Sequence, residues 1–578
     1  MKLIITEKPK VSQRIAQSIA DKYTKKRDMG VSYYEVRANG AEVVIASAAG
    51  HLYSLKQVKG GWGYPVFDVE WVPLSEIDRS KSYVEKYIQL LSKLSREADE
   101  FYLATDYDIE GELLGYNALK FACSLGDRKV LRMKFSALTR SDLLKAFQEP
   151  IDVDLKLAAA GEARHIMDWY WGINTSRALG NALRSVKGRA IVSAGRVQTP
   201  ALAILVQRER EINTFVSRDY WEILAELDVK GMKVKAQHIA GKIFDEARSK
   251  QVLEDSRCDV AIVKEAIVKQ VQRLAPYPFD LGTLQGECWR IFRLSPKRTQ
   301  QIAQSLYEGG YISYPRTASQ KLPPAIGYKR ILMALGKAQE FRGYVDAVLQ
   351  KPTLRPRQGN KTDPAHPAIY PTGALPKRLS PADEKVYKLV VHRFIAVFGD
   401  PLIREQADVK CLLNKEEFEF QGTRTLEEGW LPLYPYFKLK ELHIPELVIG
   451  EELRVLRIYP KEGKTQPPDR FNQSSLVKEL EKRSLGTKAT RADIVDTLFR
   501  RDYIQGSPIE VTELGLSVVG ALEEHVPEII SEELTRAFED KIERIQRGEE
   551  SKESVLEEAK NELTRILREF KGKEEDIG

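Results

Sequence analysis

The sequence has few cysteines, and no two of them lie close together. Its 578 residues include four cysteines, which stand singly at Cys123, Cys258, Cys288 and Cys411. Zinc modules of the C-x-x-C type and compact disulfide frameworks both need closely spaced cysteines. We therefore predict no bound zinc and no disulfide framework, and single thiols fit a reducing compartment.

Long apolar runs are absent as well. No stretch approaches the roughly 20 apolar residues of a membrane-spanning helix, and the apolar part of the opening MKLIITEKPK is too short for a signal peptide. We predict a cytoplasmic protein with no membrane partner. The chain also lacks a G-x-x-x-x-G-K-[ST] loop, so no ATP site of the P-loop type is expected. Its net charge of +7 is modest, so a nucleic-acid partner requires basic residues that are concentrated locally.

What the sequence does contain is the stretch YISYPRTAS at residues 311–319. A helical pattern ends at Gly309 and Gly310, and a short β-prone run follows it. Proline favours extended geometry in the residue before it, so Tyr314 and Arg316 are predicted to share one face. Arginine suits bidentate phosphate binding, and a tyrosine oxygen beside it is a candidate nucleophile toward phosphorus. A packing tyrosine with a solvated hydroxyl is the alternative.

Acidic side chains follow the ends of two predicted strands. The strand KLIIT precedes Glu7 and Lys8, and the strand FYLA precedes the acids of TDYDIEG. Because parallel strands of an α/β sheet place their carboxyl ends at one edge, these acids can converge. Clustered carboxylate oxygens are ligands for Mg²⁺, and solvated surface acids are the alternative. The candidate magnesium ligands are Glu7, Asp106, Asp108 and Glu110.

Three further segments carry polar and basic residues at predicted helices: a helical pattern over 155–183, the motif SAGRVQTP and the motif LGTKATRADI. In SAGRVQTP, Thr199 and Pro200 fit the N-cap and first helical residue, so the residues just before them lie at a helix end that favours phosphate. Solvated arginines on a capped helix are the alternative. The candidate binding residues in and near these segments are Arg164, Asp168, Arg196, Gln198, Thr490 and Arg501.

Two β-rich blocks, 219–271 and 407–456, flank a helical region over 279–399, and we predict that the blocks form one domain split in sequence. The helical region contains the loop DPAHPAIYPT, in which prolines flank His366. That histidine is either structural or a hydrogen-bond partner for phosphate. The final block is helical, and its charge-dense end is predicted to be a solvated helix.

These motifs resemble those of the type IA DNA topoisomerases, closest to the archaeal and topoisomerase III branch, and they follow in that family's order over nearly the whole chain. The resemblance implies a multidomain fold of α/β, α and β parts, with a Toprim α/β domain in a four-domain torus that includes a split β-rich arch. The implied domains are Toprim over 1–150, a helical single-strand-binding domain over 151–217 and 459–578 that ends in a charged helix, the arch or hinge over 218–272 and 405–458, and a catalytic tyrosine domain over 273–404.

The same resemblance implies an ATP-independent enzyme that cuts one DNA strand through a 5′-phosphotyrosyl bond to Tyr314, passes a strand and rejoins the cut. It would relax negative supercoils and also decatenate DNA. Arg316 and Lys8 would supply positive potential, Glu7 would protonate the leaving 3′ oxygen, and His366 would contact the scissile phosphate. The carboxylates would hold Mg²⁺, with neither zinc nor ATP required. The six candidate binding residues would line a single-strand groove, in which Asp168 would select a base.

The implied partners are single-stranded segments of supercoiled or catenated DNA and, by analogy, a helicase, with the chain acting as a nucleoid-associated monomer. Many relatives carry C-terminal zinc modules, and this sequence has no cysteine pair to form one, which leaves processivity open. Two rival hypotheses remain at this stage. A Toprim-type nuclease would use the acids but would have no use for Tyr314 and Arg316, and a non-catalytic single-strand-binding protein would not need the acids.

Overall fold

The computed structural model describes residues 1–123, 125–182 and 193–573. The strands in these ranges are β1 (Lys2–Thr6), β2 (Tyr23–Asp28), β3 (Val31–Ala38), β4 (Ala41–Ser47), β5 (Tyr53–Gln57), β6 (Val69–Pro73), β7 (Glu100–Ala104), β8 (Lys129–Arg132), β9 (Ile151–Asp152), β10 (Asp219–Val229), β11 (Met232–His238), β12 (Val260–Arg273), β13 (Leu402–Leu413), β14 (Glu416–Glu427), β15 (Glu452–Lys464), β16 (Ile504–Gln505) and β17 (Glu510–Val511).

The α-helices in the same ranges are α1 (Pro9–Ile19), α2 (Leu74–Ile77), α3 (Val84–Ser95), α4 (Ile109–Asn117), α5 (Arg140–Gln148), α6 (Leu155–Ala182), α7 (Gln198–Asn213), α8 (Glu246–Asp255), α9 (Leu281–Phe292), α10 (Pro296–Glu308), α11 (Tyr328–Leu335), α12 (Gln339–Leu349), α13 (Pro381–Ala396), α14 (Gln473–Lys482), α15 (Arg491–Arg500), α16 (Glu513–His525), α17 (Glu532–Arg547) and α18 (Lys552–Lys571). The predicted end of the long helix at Leu183 lies outside the described residues.

The N-terminal part forms a seven-stranded sheet with the order β2-β3-β4-β1-β7-β8-β9. Strands β4, β1, β7 and β8 run parallel, and Thr6 pairs with Ala104 at the carboxyl ends of β1 and β7. Ile4 faces the cluster that contains α1, whereas Leu3 and Ile5 face the opposite cluster, as the two-residue period of a strand requires. This register places the residues that follow Thr6 and Ala104 side by side at one sheet edge.

The two β-rich blocks form one closed barrel with the order β10-β11-β14-β13-β12-β15, which confirms the predicted split domain. Alternate residues of β10, including Ile223, Ala225 and Leu227, are buried inside it. Strands β12 and β13 form a long antiparallel ladder that runs from Ala261 paired with Leu413 to Arg273 paired with Leu402. The intervening chain therefore leaves and re-enters the barrel along adjacent strands.

That intervening chain contains helices α9 to α13 and shares a single hydrophobic cluster with one face of the sheet. Arg14 of α1 donates hydrogen bonds to the carbonyl oxygens of Glu308 and Gly309. The prediction of a β-strand before Pro315 is wrong, because among the described residues this segment forms one isolated β-bridge, between Ile312 and Pro371, and no continuous ladder with another strand. The sheet and the segment that carries Tyr314 are thus packed directly against each other.

Helices α6, α7 and α14 to α18 share a separate hydrophobic cluster. The prediction that the charged C-terminal helix is solvated is only half right, because Val555, Leu563 and Phe570 on one face of α18 are buried in this cluster. Lys488 pairs with Asp363, and Lys361 pairs with Glu481. These two ion pairs join the helices to the segment that carries Tyr314. Among the described residues, no helix combines the length and apolar character needed to cross a membrane.

Candidate active site

Tyr314 is buried where the sheet edge meets the α9–α13 region, with only 1% of its surface exposed. Its backbone N–H donates to the carbonyl of Ser136, and its hydroxyl donates to Asp108 Oδ2 at 2.5 Å. The rings of His366 and Tyr307 lie 4.5 and 5.2 Å away, centroid to centroid. Burial and the negative charge of Asp108 raise the pKa of the phenol well above its usual value. The hydroxyl therefore stays protonated and is already hydrogen-bonded to a proton acceptor.

Asp108 caps helix α4 and also connects to the residues of YISYPRTAS. Its Oδ1 accepts a hydrogen bond from the N–H of Gly111 at 2.8 Å, which fixes the carboxylate at the helix N-terminus. Its Oδ2 accepts from Tyr314 and lies 3.9 Å from Nη1 of Arg316. The sequence prediction that Tyr314 and Arg316 converge is thus met at a third residue, Asp108.

Gly111 is required by the tight turn that presents the acids. A Cβ atom at this position would lie 2.1 Å from the carbonyl oxygen of Asp106, which no side chain tolerates. Arg132 supports the same turn from below, where it donates to the carbonyl oxygens of Thr105 and Asp106 and pairs with Glu112 at 2.7 Å. Both charged side chains of this pair are fully buried. No motif of the sequence points to Arg132, although an arginine at the end of a strand with a buried side indicates a structural ion pair.

Asp106 is almost fully buried, and Glu7 lies near it because β1 and β7 end at the same edge. Burial and the negative charges of Glu7 and Asp108 raise the pKa of Asp106 well above its usual range. Lys8 lies 3.3 Å from Glu7 Oε1. Negative charge is therefore concentrated at this edge, and a hard divalent cation would relieve it.

Arg316 supplies positive charge beside Tyr314 from a side chain that is 27% exposed. Burial by itself lowers the pKa of the guanidinium, but Tyr314, Asp108 and Glu7 outweigh it and raise the pKa above its usual value. Its Nε is buried and has no hydrogen-bond partner among the described residues. A buried donor without a partner is costly, and a phosphate oxygen at this position would satisfy it.

His366 is a neutral side chain that supports Tyr314. Its Nε2 lies 2.9 Å from the carbonyl oxygen of Tyr107, which can only accept, so Nε2 carries the proton. Nδ1 then accepts from the hydroxyl of Ser136 at 2.9 Å. Burial lowers the pKa of His366 to about 4. The ring thus holds the Tyr314 phenol in place and carries no charge at neutral pH.

Glu110 occupies a different environment from Asp106 and Asp108. Its Oε2 lies 2.8 Å from Nε2 of His165 and 3.5 Å from Nε2 of His51. In the ranges 1–123, 125–182 and 193–573, only these three residues form a group of His, Cys, Asp or Glu side chains whose ligand atoms all lie within 4.8 Å of one another. Burial raises the pKa of Glu110, but the two histidines outweigh it and lower the pKa well below its usual range.

Five of the six candidate binding residues line one cavity of about 250 Å³ between α6, the start of α7 and α15. Glu539 lies within it and pairs with Arg164 at 2.9 Å and with Arg196 at 2.8 Å. Arg196 also pairs with Asp168 at 3.0 Å. Arg501 does not line this cavity. The lining residues are Arg164, Asp168, Gly195, Arg196, Val197, Gln198, Thr487, Thr490, Asp493, Ile494, Thr497 and Glu539.

Two details of this cavity, which we call the groove from here on, differ from the sequence predictions. Helix α7 begins at Gln198 rather than at Pro200, because the Thr199 hydroxyl bonds back to the carbonyl of Gly195 and Val197 stands at the N-cap. Glu539 was not singled out, since an acid on an amphipathic helix carries no special pattern. The groove lined by the predicted binding residues therefore also contains Glu539, whose carboxylate pairs with both Arg164 and Arg196.

Comparisons with known proteins agree with this geometry. A family model described as DNA topoisomerase matches residues 152–557, and a Toprim domain model matches residues 2–138. DNA topoisomerase 1 of Pyrococcus horikoshii is 47% identical over 100% of this chain and 85% of its own length. DNA topoisomerase 1 of Methanocaldococcus jannaschii is 46% identical over 100% of this chain and 75% of its own length. Full-length topoisomerase I from Thermotoga maritima has the same fold, with a TM-score of 0.77 and 24% identity over 98% of this chain and 90% of that chain.

Proposed function

The chain belongs to the type IA DNA topoisomerases, which relax DNA by strand cleavage and passage, and we propose that Tyr314 is the residue that becomes joined to the cut strand. One observation carries this proposal: the hydroxyl of Tyr314 donates to Asp108 Oδ2 at 2.5 Å, deep in the cleft beside Arg316. A Toprim-type nuclease would not need the region that matches the topoisomerase model, so the match over residues 152–557 favours a topoisomerase over that rival.

The proposed cleavage step exchanges one phosphodiester bond for another. The Tyr314 oxygen attacks phosphorus, the bond to the 3′ oxygen breaks, and a 5′-phosphotyrosyl bond forms. Asp108 accepts the phenol proton, since it already accepts the hydrogen bond. Glu7 is the candidate donor of a proton to the leaving 3′ oxygen. The bond count is unchanged, so the step needs no ATP.

The phenolate that attacks needs positive charge beside it, because burial and the negative charge of Asp108 raise the pKa of Tyr314. Arg316 provides it, and its Nε, which has no hydrogen-bond partner in the described part of the chain, can donate to a phosphate oxygen. Lys8 lies at the same sheet edge, beside Glu7. Both cations would stabilise the charge that develops on the phosphoryl oxygens in the transition state.

The site also fits magnesium, since the Toprim domain is the usual Mg²⁺-binding site of topoisomerases and Asp106 is a buried carboxylate with like charges beside it. We propose that Asp106 and Asp108 hold the ion, with Glu7 close by, because Mg²⁺ commonly uses one or two carboxylates together with water and phosphate. When bound, the ion would offset negative charge at the cut and keep the DNA ends aligned. Glu110, the fourth predicted ligand, directs Oε2 at two histidines instead.

We propose that the cavity between α6, α7 and α15 binds the single strand upstream of the cut. Arg164, Arg196 and Gln198 lie in it together with Thr490, and Asp168 offers a carboxylate that can accept from a base edge. Phosphate would have to replace Glu539 as the partner of both arginines. Arg501 lies outside the cavity, so it would contact DNA beyond it.

The domain boundaries given above, decatenation, a helicase partner and a monomeric state remain predictions. We propose the closed barrel as the arch or hinge of the torus. The ion pair of Lys488 with Asp363 is a contact that would break when the torus opens. Separating the segment that carries Tyr314 from the helical cluster would let a strand pass.

The mechanism is tested by trapping the protein on single-stranded oligonucleotides labelled at the 5′ end or at the 3′ end. After denaturation, we expect label from the 3′ side of the break to stay with the wild-type protein and to be lost with Tyr314→Phe. Tyr311→Phe is the matched control, because Tyr311 lies three residues away and packs on Tyr387 instead. If the Tyr314→Phe protein still holds DNA, another residue is the nucleophile and the proposal fails.

A further inference from the structure

Two histidines and a glutamate from three separate segments meet beside the sheet edge but outside the Tyr314 cleft. His51 follows β4, Glu110 lies in the first turn of α4, and His165 lies in the middle of α6. Nε2 of each histidine faces Oε2 of Glu110, at 3.5 and 2.8 Å. The two imidazole rings are 5.4 Å apart, centroid to centroid. The mechanism proposed above has no use for either histidine.

The backbone is shaped to bring these three side chains together. Gly161 lies one helical turn before His165, and a Cβ there would lie 2.8 Å from the carbonyl oxygen of Ile109. Only glycine lets α6 approach the start of α4 this closely, which places His165 against Glu110. Ala49 and Gly50 both have positive φ, at 55° and 104°, and this turn directs His51 toward the same point.

The donor set matches that of a transition-metal site. Imidazole nitrogen suits zinc, iron, nickel and copper, whereas magnesium prefers oxygen ligands. With metal–ligand bonds of about 2.0–2.1 Å, the ligands of a tetrahedral ion lie roughly 3.3 Å apart. The two separations from Glu110 Oε2, 3.5 and 2.8 Å, lie on either side of this value, so small side-chain rotations would complete the geometry. Each of the three side chains is also 25–32% exposed, which gives an ion access from solvent.

We propose that His51, Glu110 and His165 bind one divalent transition-metal ion such as Zn²⁺, which cross-links the Toprim sheet to helix α6. His51 and Glu110 belong to the part that matches the Toprim model, and His165 belongs to the part that matches the topoisomerase model. The ion thus joins two separately matched regions of the chain. This site is distinct from the carboxylates Asp106 and Asp108. The earlier prediction of no zinc rested on cysteine spacing, which cannot detect a site assembled from three distant segments.

The test uses the full chain after removal of metals with a chelator, with Co²⁺ as the probe. We expect one equivalent of Co²⁺ to bind with the strong visible absorption of a four-coordinate nitrogen and oxygen site. A large excess of Mg²⁺ should leave this absorption unchanged, and Zn²⁺ should abolish it by displacement. The variant His51→Gln/His165→Gln loses two direct ligands and should bind Co²⁺ at least about 100-fold more weakly, since loss of one outer-shell partner alone can cost that much.

Two controls locate the ion. His443→Gln removes an exposed histidine in another part of the chain and should bind Co²⁺ like wild type. Asp106→Asn/Asp108→Asn removes the acids proposed for magnesium and should also retain the Co²⁺ absorption. Loss of the absorption in this second variant would place the ion in the Tyr314 cleft and overturn the proposal. Full retention in the double-histidine variant would overturn it as well.

A second measurement does not depend on how the variants fold. Cu²⁺ bound at one equivalent to the wild-type protein should show electron paramagnetic resonance coupling to two imidazole nitrogens. Saturating Zn²⁺ should also raise the melting temperature of wild type by several degrees, since it binds only the folded arrangement. A Cu²⁺ spectrum without nitrogen coupling would show that the three side chains form only a hydrogen-bonded cluster.

Discussion

The Tyr314 cleft and the groove beside α6 are both charged and partly enclosed, yet their charges are balanced in opposite ways. In the cleft, Asp106 and Asp108 lie with Glu7 near the partly buried Arg316, and burial and the neighbouring carboxylates raise the pKa of Asp106. In the groove, Arg164 and Arg196 share Glu539, whose pKa their positive charges lower against the effect of burial. The cleft has excess negative charge, whereas the groove has its charges paired.

The two sites therefore differ in how their charges are balanced before DNA binds. Carboxylates that repel one another without enough positive charge nearby are stabilised when a cation binds beside them. A neutralised pair of arginines holds its geometry until phosphate replaces the internal acid, so binding exchanges one set of ion pairs for another. Chemistry in the cleft should therefore depend steeply on single charges, and binding in the groove should respond weakly to them.

The largest expected effect comes from Asp108→Asn, which keeps a hydrogen-bond acceptor for Tyr314 but removes the proton acceptor. We expect the rate of covalent adduct formation to fall roughly 10²- to 10⁴-fold. The measurement is single-turnover trapping of a labelled oligonucleotide, made both with Mg²⁺ and with a chelator. Asp21→Asn, at an exposed acid of the same region, is the control. An equal loss with the chelator assigns the effect to proton transfer, and an unchanged rate in both conditions would remove Asp108 from the mechanism.

Next in size is the pH dependence that His366 contributes to the cleft. Because burial lowers its pKa from 6.5 to about 4, the unfolded chain takes up the proton first as pH falls. Stability that is present above pH 6.5 should be lost between pH 6.5 and 4, by roughly 3 kcal/mol at about 1.4 kcal/mol per pKa unit.

Denaturant unfolding across that window should show a smaller acid loss for His366→Gln than for wild type, since glutamine can both donate to Tyr107 and accept from Ser136. The control His443→Gln should lose stability in parallel with wild type. Identical acid losses in wild type and His366→Gln would contradict the neutral, buried state assigned to this histidine.

A third test compares one glycine of the cleft with one glycine of the groove helix. Gly111→Ala should destabilise the protein by about 1–3 kcal/mol and displace the acids, because its Cβ meets the carbonyl oxygen of Asp106. Gly172→Ala in α6 meets no atom within 4 Å and should stabilise the helix by about 1 kcal/mol. Thermal unfolding and adduct yield measure both effects. If Gly111→Ala changed neither stability nor adduct yield, the backbone of this turn would have to move aside for the added methyl group.

The smallest effect is expected in the groove. Glu539→Gln frees Arg164 and Arg196, so single-strand affinity at low salt should rise roughly 5-fold, and one extra phosphate contact should steepen the salt dependence by about 0.7 in logarithmic slope. Fluorescence anisotropy of a labelled oligonucleotide at several salt concentrations measures both. Glu543→Gln, at an exposed position on the same helix, should change neither. Weaker binding by Glu539→Gln would mean that the acid positions the arginines rather than competing with DNA.

Much of the cleft could be predicted from the sequence because its acids follow strand ends. The pairing of Thr6 with Ala104 brings Glu7 and Asp106 to the same edge, as the strand-end rule requires. Tyr314 and Arg316 could be anticipated from the proline between them. Their common contact, Asp108, depends on how the α9–α13 region packs on the sheet, which no local pattern encodes.

What the sequence did not reveal depends on contacts between distant segments. The partners of Glu110 come from two other parts of the chain, and Arg132 acts through backbone carbonyls that any sequence has. Glu539 is one acid among many on a charged amphipathic helix. Periodicity gave the position of α6 closely, but the buried face of α18 becomes meaningful only once α6 is in place to receive it.

The divided barrel also has a consequence for synthesis on the ribosome. Of the six barrel strands, β10, β11 and β12 are synthesised first. Strands β13 and β15, the two neighbours of β12, are synthesised only after the intervening helical region. During that interval, the long edge of β12 displays unpaired backbone groups and branched side chains such as Ile267, Val268 and Val271, which stay exposed even in the finished protein. We therefore expect the nascent chain to be prone to aggregation until Lys464 completes β15, and chaperone protection to matter during that interval.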